Sequence, residues 1–259
     1  MNANSRWLRT ALLSLLAASV AHAQQSPDGK VAAMSASKSH AAAVITTPAV
    51  TTASTPVELA RAAVAAQGGD KFRQLKNMVL TGSVELFSPN STQSLAGKFG
   101  LIAAGDKLRL VIQSPIVSFE LVHDGLRAYT TLRAIDLPPP GKFGLPALAR
   151  FDQPGFAVTA LPAKKKELAF RLTDPEGNAT NFYLDTANAR VVRYEIPYNG
   201  LTFVWENKSF REIDGVLVPV AFAERLDAPQ GAFFAEFKVK EAKINQDLPA
   251  DAFAPPGRR

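Results

Sequence analysis

From Met78 onward the chain alternates apolar and polar side chains with a period of two. Met78, Leu80, Val84 and Leu86 fall on one face of a strand and Thr81, Ser83 and Glu85 on the other. Leu95, Phe99 and Leu101 against Lys98 repeat the pattern, then Leu108, Leu110 and Ile112, then Val117, Phe119 and Leu121 up to the turn His123-Asp124-Gly125. It resumes at Leu168, Phe170 and Leu172, at Phe182-Tyr183-Leu184, and at Val191 to Tyr194. Leu201, Phe203 and Trp205 alternate with Thr202, Val204 and Glu206, and the last strand sets Phe233, Ala235, Phe237 and Val239 against Glu236, Lys238 and Lys240. Turn residues punctuate the runs at Ala104-Gly105-Asp106, Asp174 to Asn178, Asp185 to Asn188 and Asp214-Gly215, the last suited to a positive-φ hairpin turn. Pro219 suits the edge or the end of the strand that follows. One-faced strands in series must pack on a second layer or curl round their own apolar face. Few helices are on offer, so the pattern predicts an α+β fold built on a strongly curved, partly closed antiparallel sheet of about ten strands.

Ahead of the strands, Thr55-Pro56-Val57-Glu58 has an N-cap, a proline at the first helical position and a capping-box glutamate. A helix is expected to about Ala66, burying Val57, Leu59, Ala60 and Val64, with Gly68-Gly69 as its stop and a short helical turn over Asp70 to Leu75. Between Asp136 and Gln153 the strand rhythm breaks. A stiff Leu137-Pro138-Pro139-Pro140-Gly141 entry leads to Phe143, Leu145, Leu148 and Phe151, spaced so that a short helix can place several on one side. Two readings stand for this segment, an ordinary element capping the sheet's end and a lid over a cavity. The inward rings likewise serve either as plain core or as the walls of a cavity too wide to fill.

The N-terminus changes the picture. Arg6 and Arg9 precede an apolar stretch from Ala11 to Val20 and the small-x-small site Ala21-His22-Ala23, the pattern of a signal peptide at 1–23, cut after Ala23. The apolar run is too short for a stable membrane span. Residues 24–54 are rich in Ala, Ser and Thr with no amphipathic period, which predicts a disordered leader, followed by one domain over 55–256 and a basic tail at 257–259. There is no cysteine, hence no lipid attachment at cysteine and no disulfide. Net charge is +6, falling to +4 once the segment holding Arg6 and Arg9 is removed. The only basic run is Lys164-Lys165-Lys166, read as a solvated loop or a contact to anionic head groups, so nucleic acid is not an expected partner.

Candidate chemistry is sparse. The three histidines are His22, His40 and His123; no His/Cys cluster, nucleophile elbow or phosphate loop occurs, so no metal, no cofactor and no catalytic residue are expected. Glu195, Glu206 and Glu212 fall where a solvated strand face places acids.

The meander, with Asp214-Gly215 and Pro219 and then Val239 to Pro249 and Asp251-Ala252-Phe253-Ala254-Pro255-Pro256, preceded by the helix and double glycine, resembles the bacterial outer-membrane lipoprotein-sorting family (LolA/LolB-like) over about residues 56–256. The resemblance implies a half-barrel round an apolar cavity that binds or carries acyl chains of lipids or lipoproteins in the periplasm. It implies no enzyme activity, a monomer, and an envelope protein partner for delivery. Leu80, Val84, Phe99, Leu101, Leu110, Phe119, Leu121, Phe203, Trp205 and Phe237 would line the cavity, under a lid of Phe143, Leu145, Leu148 and Phe151. Two other classes stay open: an envelope scaffold whose core is filled by its own side chains, and a hydrolase with dispersed carboxylates.

Overall fold

The structure, a computed structural model, describes residues 50–256 except 90, 92, 132–136, 163–166 and 229–230. The expected signal peptide, most of the leader, the Lys164 to Lys166 run (bar its flanks) and the basic tail lie outside the described residues.

Twelve strands form one antiparallel sheet: β1 (Met78–Phe87), β2 (Ser94–Ala104), β3 (Lys107–Gln113), β4 (Ser118–Asp124), β5 (Ala128–Thr130), β6 (Ala157–Ala160), β7 (Leu168–Thr173), β8 (Ala179–Leu184), β9 (Val191–Tyr198), β10 (Leu201–Ile213), β11 (Val216–Ala228) and β12 (Gly231–Ile244). Strands adjacent in sequence pair except β5 and β6, and β1 also pairs with β12, so the order runs β5-β4-β3-β2-β1-β12-β11-β10-β9-β8-β7-β6. The sheet is open, with β5 and β6 as its two free edges. These two short edges are the strands that the apolar pattern does not announce, because their side chains are mostly exposed and carry no alternation.

The predicted turns form as their chemistry requires. Asp214 and Gly215 take φ 50° and 80°, joining β10 to β11. Asp174 Oδ1 accepts from the amides of Glu176 and Asn178, at 2.9 and 2.8 Å, closing the β7–β8 turn. Pro219 pairs only towards β10; β12 joins β11 from Ala221 onward, so the missing N–H interrupts no second ladder. Bulges at Lys240 of β12 opposite Thr81–Gly82, near Ser209 on β10, and at Val192 of β9 opposite Tyr183–Leu184 add the local twist that lets a long sheet curl.

Helix α1 (Pro56–Gln67) carries the full capping box: the Glu58 amide donates to Thr55 Oγ1 at 3.3 Å and the Thr55 amide to Glu58 Oε2 at 2.7 Å. It packs on β6, β7 and β11 through Leu59, Ala60, Ala62, Ala63 and Val64, a stripe rich in alanine that lets helix and sheet approach closely. Val57, expected on the buried side, sits in the first turn and keeps 42% of its surface. Gly68 ends the helix at φ 124°, where a Cβ would stand 2.4 Å from the Gly215 carbonyl, so the helix end and the β10–β11 hairpin tip interlock through two glycines. Helix α2 (Asp70–Arg73) follows. Ahead of α1, Val50 packs against the core.

On the outer face Arg109 donates to the carbonyls of Asp251, Ala252 and Ala254 at 3.2, 2.6 and 3.2 Å, holding the C-terminal segment against β3. That gives the Asp251 to Pro256 signature a structural job.

Candidate functional site

Register decides which side chains share the concave face. Phe170 on β7 stands opposite Phe182 on β8, Phe182 opposite Tyr194 on β9, and Tyr194 opposite Trp205 on β10. Phe222 on β11 and Phe237 on β12 continue the row. The rings meet at centroid distances of 5.2, 6.0, 5.8, 4.7 and 4.7 Å from Phe170 to Phe237, and Phe99 of β2 closes edge-on to Phe237 at 5.0 Å. An aromatic row thus crosses the sheet from β7 to β2. Gly82 makes its last step possible: the Phe99 ring lies over β1 where a Cβ on Gly82 would come within 2.9 Å of it and 2.0 Å of the Lys238 carbonyl.

The concave face is filled unevenly. Leu80, Val84, Phe99, Leu101, Leu110, Leu121 and Phe237, seven of the ten expected wall residues, are buried in the core cluster together with α1. Phe119, Phe203 and Trp205 are half-buried. Along β1, β2 and β10 to β12, inward positions beyond the aromatic row, at Leu86, Leu95, Phe203, Leu226 and Ala235, keep part of their surface, and Phe233 is 38% exposed. The structure therefore brings the expected wall residues onto one face, sealed at the α1 end and open at the end of the β11–β12 turn.

The segment 137–152 reaches from the β2–β3 turn to β8 and β9. It contains a 3-10 turn (Pro140–Lys142) and α3 (Gly144–Leu148). On one side Gly141 lies so close to the β2–β3 turn that a Cβ would stand 2.7 Å from the Asp106 Cα. On the other, Lys142 pairs with Glu176, the Gly144 amide donates to Thr180 Oγ1 at 3.2 Å, and Phe143 meets Tyr198 edge-on at 5.7 Å. Arg73 of α2 holds its far end, donating to both Asp152 carboxylate oxygens at 2.9 and 2.8 Å and to the Ala149 carbonyl at 2.8 Å. That hydrogen bonding holds the Asp152 carboxyl below its ordinary pKa. Phe143, Leu148 and Phe151 are buried and Leu145 half-buried, so all four expected lid residues turn towards the concave face.

Two polar groups interrupt this apolar interior. In β11 the phase of Phe222 and Leu226 brings Glu224 to the concave face, opposite Trp205 of β10 and Ala235 of β12. Among the described residues none hydrogen-bonds or ion-pairs with its carboxylate. Burial pushes the Glu224 carboxyl up to about 7, and burial first, then the Glu224 charge, raises the Tyr194 hydroxyl well above its ordinary value. Gln67, at the end of α1, is fully buried with neither side-chain nitrogen nor oxygen partnered. The sequence reading passed over Glu224. Its signal was present: in Phe222-Ala223-Glu224-Arg225-Leu226 a charge occupies the apolar phase of the strand.

His123, read as a turn residue, lies at the end of β4 and is buried, its Nδ1 3.0 Å from the Asp106 carbonyl oxygen and 3.2 Å from the Gly125 amide. A separate cleft of about 580 Å³, lined by Lys71, Gln74, Lys76, Asp214, Val216, Ile244 and Asn245, lies at the β10–β11 turn, away from the open end of the groove. Among the described residues no cluster of three or more His, Cys, Asp or Glu side chains is placed to hold a metal ion, and no helix is long and apolar enough to cross a membrane.

No family model matches the sequence and no curated protein matches it. Solved structures do. The fold is similar to a LolA superfamily protein of Nitrosomonas europaea, at 12% identity and a TM-score of 0.47 over 74% of this chain and 97% of that one. It is similar to an outer membrane lipoprotein-sorting protein domain of Vibrio parahaemolyticus, at 13% identity and a TM-score of 0.46 over 76% and 95%. A DUF1329 family protein of Desulfovibrio piger matches at 9% identity and a TM-score of 0.45 over 77% and 98%. The first two carry the family name to which the sequence resemblance points.

Proposed function

We propose that this protein binds an apolar or lipidated ligand, an acyl chain, in the open half of its concave face, and carries or holds it in the periplasm after export. The observation that supports this most is the change of filling along one face: the same inward rows that are sealed beside α1 keep exposed apolar surface at Phe203, Trp205, Leu226 and Phe233. Apolar surface left at a concave site is a place where a ligand replaces water. Each methylene taken from water contributes about 0.8 kcal/mol, so a long chain binds usefully with no polar contact.

The segment 137–152 serves as the movable wall in this reading. Its apolar side covers the sealed half, and displacing it would extend the groove over Leu80, Leu110 and Leu121. The scaffold reading draws on the same burial, since those seven residues are packed as a self-filled core.

A fluorescent fatty-acyl probe titrated into delipidated protein separates the two. Saturable binding, weakened at least about tenfold in Phe203→Glu with folding intact, supports the groove, because a charge placed among apolar contacts costs more than one such factor. A folded wild type without saturable binding makes the protein a scaffold.

A further inference from the structure

We propose that Glu224 is the polar anchor of this groove and selects ligands whose head group is an organic ammonium. The inference rests on the apolar-groove reading and names the chemistry of its occupant.

The argument begins with an imbalance. Glu224 shares the concave face with Trp205, Phe222, Leu226 and Ala235, and no described cation faces it: the strands on either side present Trp205 and Phe203 from β10, and Phe233, Ala235 and Phe237 from β12. Among the described residues Tyr194 of β9 is the titratable group that feels the Glu224 charge, and its own charge, when it titrates, has the same sign. The adjacent Arg225 points to the opposite face and pairs with Asp227 at 3.1 Å. A carboxylate in an apolar setting without a partner is costly unless something supplies the missing charge. The rings of Tyr194, Trp205 and Phe222 stack face against face at interplanar angles of 10° and 12°, with Tyr194 and Phe222 buried, so Trp205 is the ring of this stack that keeps surface open beside the carboxylate. An open carboxylate with apolar surface round it suits an organic ammonium, whose alkyl groups tolerate such surroundings, better than a strongly hydrated inorganic cation. Glu224 keeps part of its surface open, so a ligand can reach it, and the tail of an amphiphile seated there has Phe203, Leu226, Ala235 and Phe233 within the same open rows.

The test uses the full chain and two ligands with one tail, dodecyltrimethylammonium and dodecanol, each competing against the fluorescent acyl probe below its micelle concentration. The quaternary head keeps its charge at every pH, so any pH dependence comes from the protein. At about pH 8 the wild type should prefer the ammonium by about tenfold, since a charge–charge contact at a partly open site is worth about one such factor. Glu224→Gln should reduce the preference to within about twofold while binding dodecanol as the wild type does, and lowering the wild type to about pH 5 should do the same by protonating the carboxyl. Equal binding of both ligands by the wild type, or a preference that survives in Glu224→Gln, overturns the anchor and leaves the apolar groove standing. A probe that binds nowhere overturns both.

Discussion

Gln67 and Glu224 are the residues where the interior is least at ease, and both have measurable consequences. The Gln67 amide has lost its water and gained no partner, which costs about 1–3 kcal/mol for such a group. Gln67→Met keeps the length and volume and removes the polar atoms, so thermal or urea unfolding should show a variant more stable by about 1–2 kcal/mol. An unchanged or lower midpoint would mean that the amide is engaged in solution. Glu224 acts through pH. Burial raises its folded carboxyl from 4.5 to about 7, so the folded state holds the proton more tightly than the unfolded chain does. Its penalty is absent below about pH 4.5, grows through the window up to about pH 7 and is complete above it. The full shift corresponds to about 3 kcal/mol, and contact with solvent brings it below that. Glu224→Gln should therefore be more stable than the wild type at about pH 8 and nearly equal to it at about pH 4, read from urea midpoints. A difference that does not change with pH would remove the carboxyl from the concave face.

At the scale of elements, the segment 137–152 is where two readings of the sequence meet. Its apolar positions were legible, since Phe143, Leu148 and Phe151 are buried as their spacing suggests. What it joins was not legible, because its contacts lie far off in sequence and the edge strands β5 and β6 that flank it carry no apolar alternation. Those strands are three and four residues long and mostly exposed, so burial left no alternation in their sequence. Most of the ten longer strands were readable from their alternation, and β11 from the Asp214-Gly215 turn and Pro219 that mark its start; β4 and β7 bury neighbouring residues on both faces at one end. Arg73 is the anchor that no local pattern could have exposed, since it reaches Asp152 across 79 positions of chain. Arg73→Ala should loosen the segment and cost about 1 kcal/mol, the value of a partly exposed ion pair with a backbone hydrogen bond. Hydrogen exchange should then quicken at residues 144–151 while the amides of β1, β2, β11 and β12 keep their protection. Uniform loss of protection would make the segment a part of the core that cannot move separately.

At the scale of the described domain the fold is a meander whose first and last strands pair, with a helical segment reaching from the β2–β3 turn to β8 and β9 and an aromatic row from β7 to β2 dividing the concave face into a sealed and an open half. The inward phase of nearly all of these residues can be read from the sequence. The division cannot, because it depends on how far α1 reaches over the sheet, and alternation is the same on either side of that limit. Trp205 stands at the boundary. The sequence has two tryptophans, at positions 7 and 205, so protein beginning at Gln24 reports on the boundary alone through its fluorescence. The most direct measurement is a titration of delipidated protein of that length with a bromine-labelled long-chain fatty acid, following tryptophan emission. Occupation of the open half predicts quenching that saturates at one acyl chain per protein and is reversed by an unlabelled competitor. Emission that stays constant, or falls linearly without saturation, in protein that is folded would contradict it.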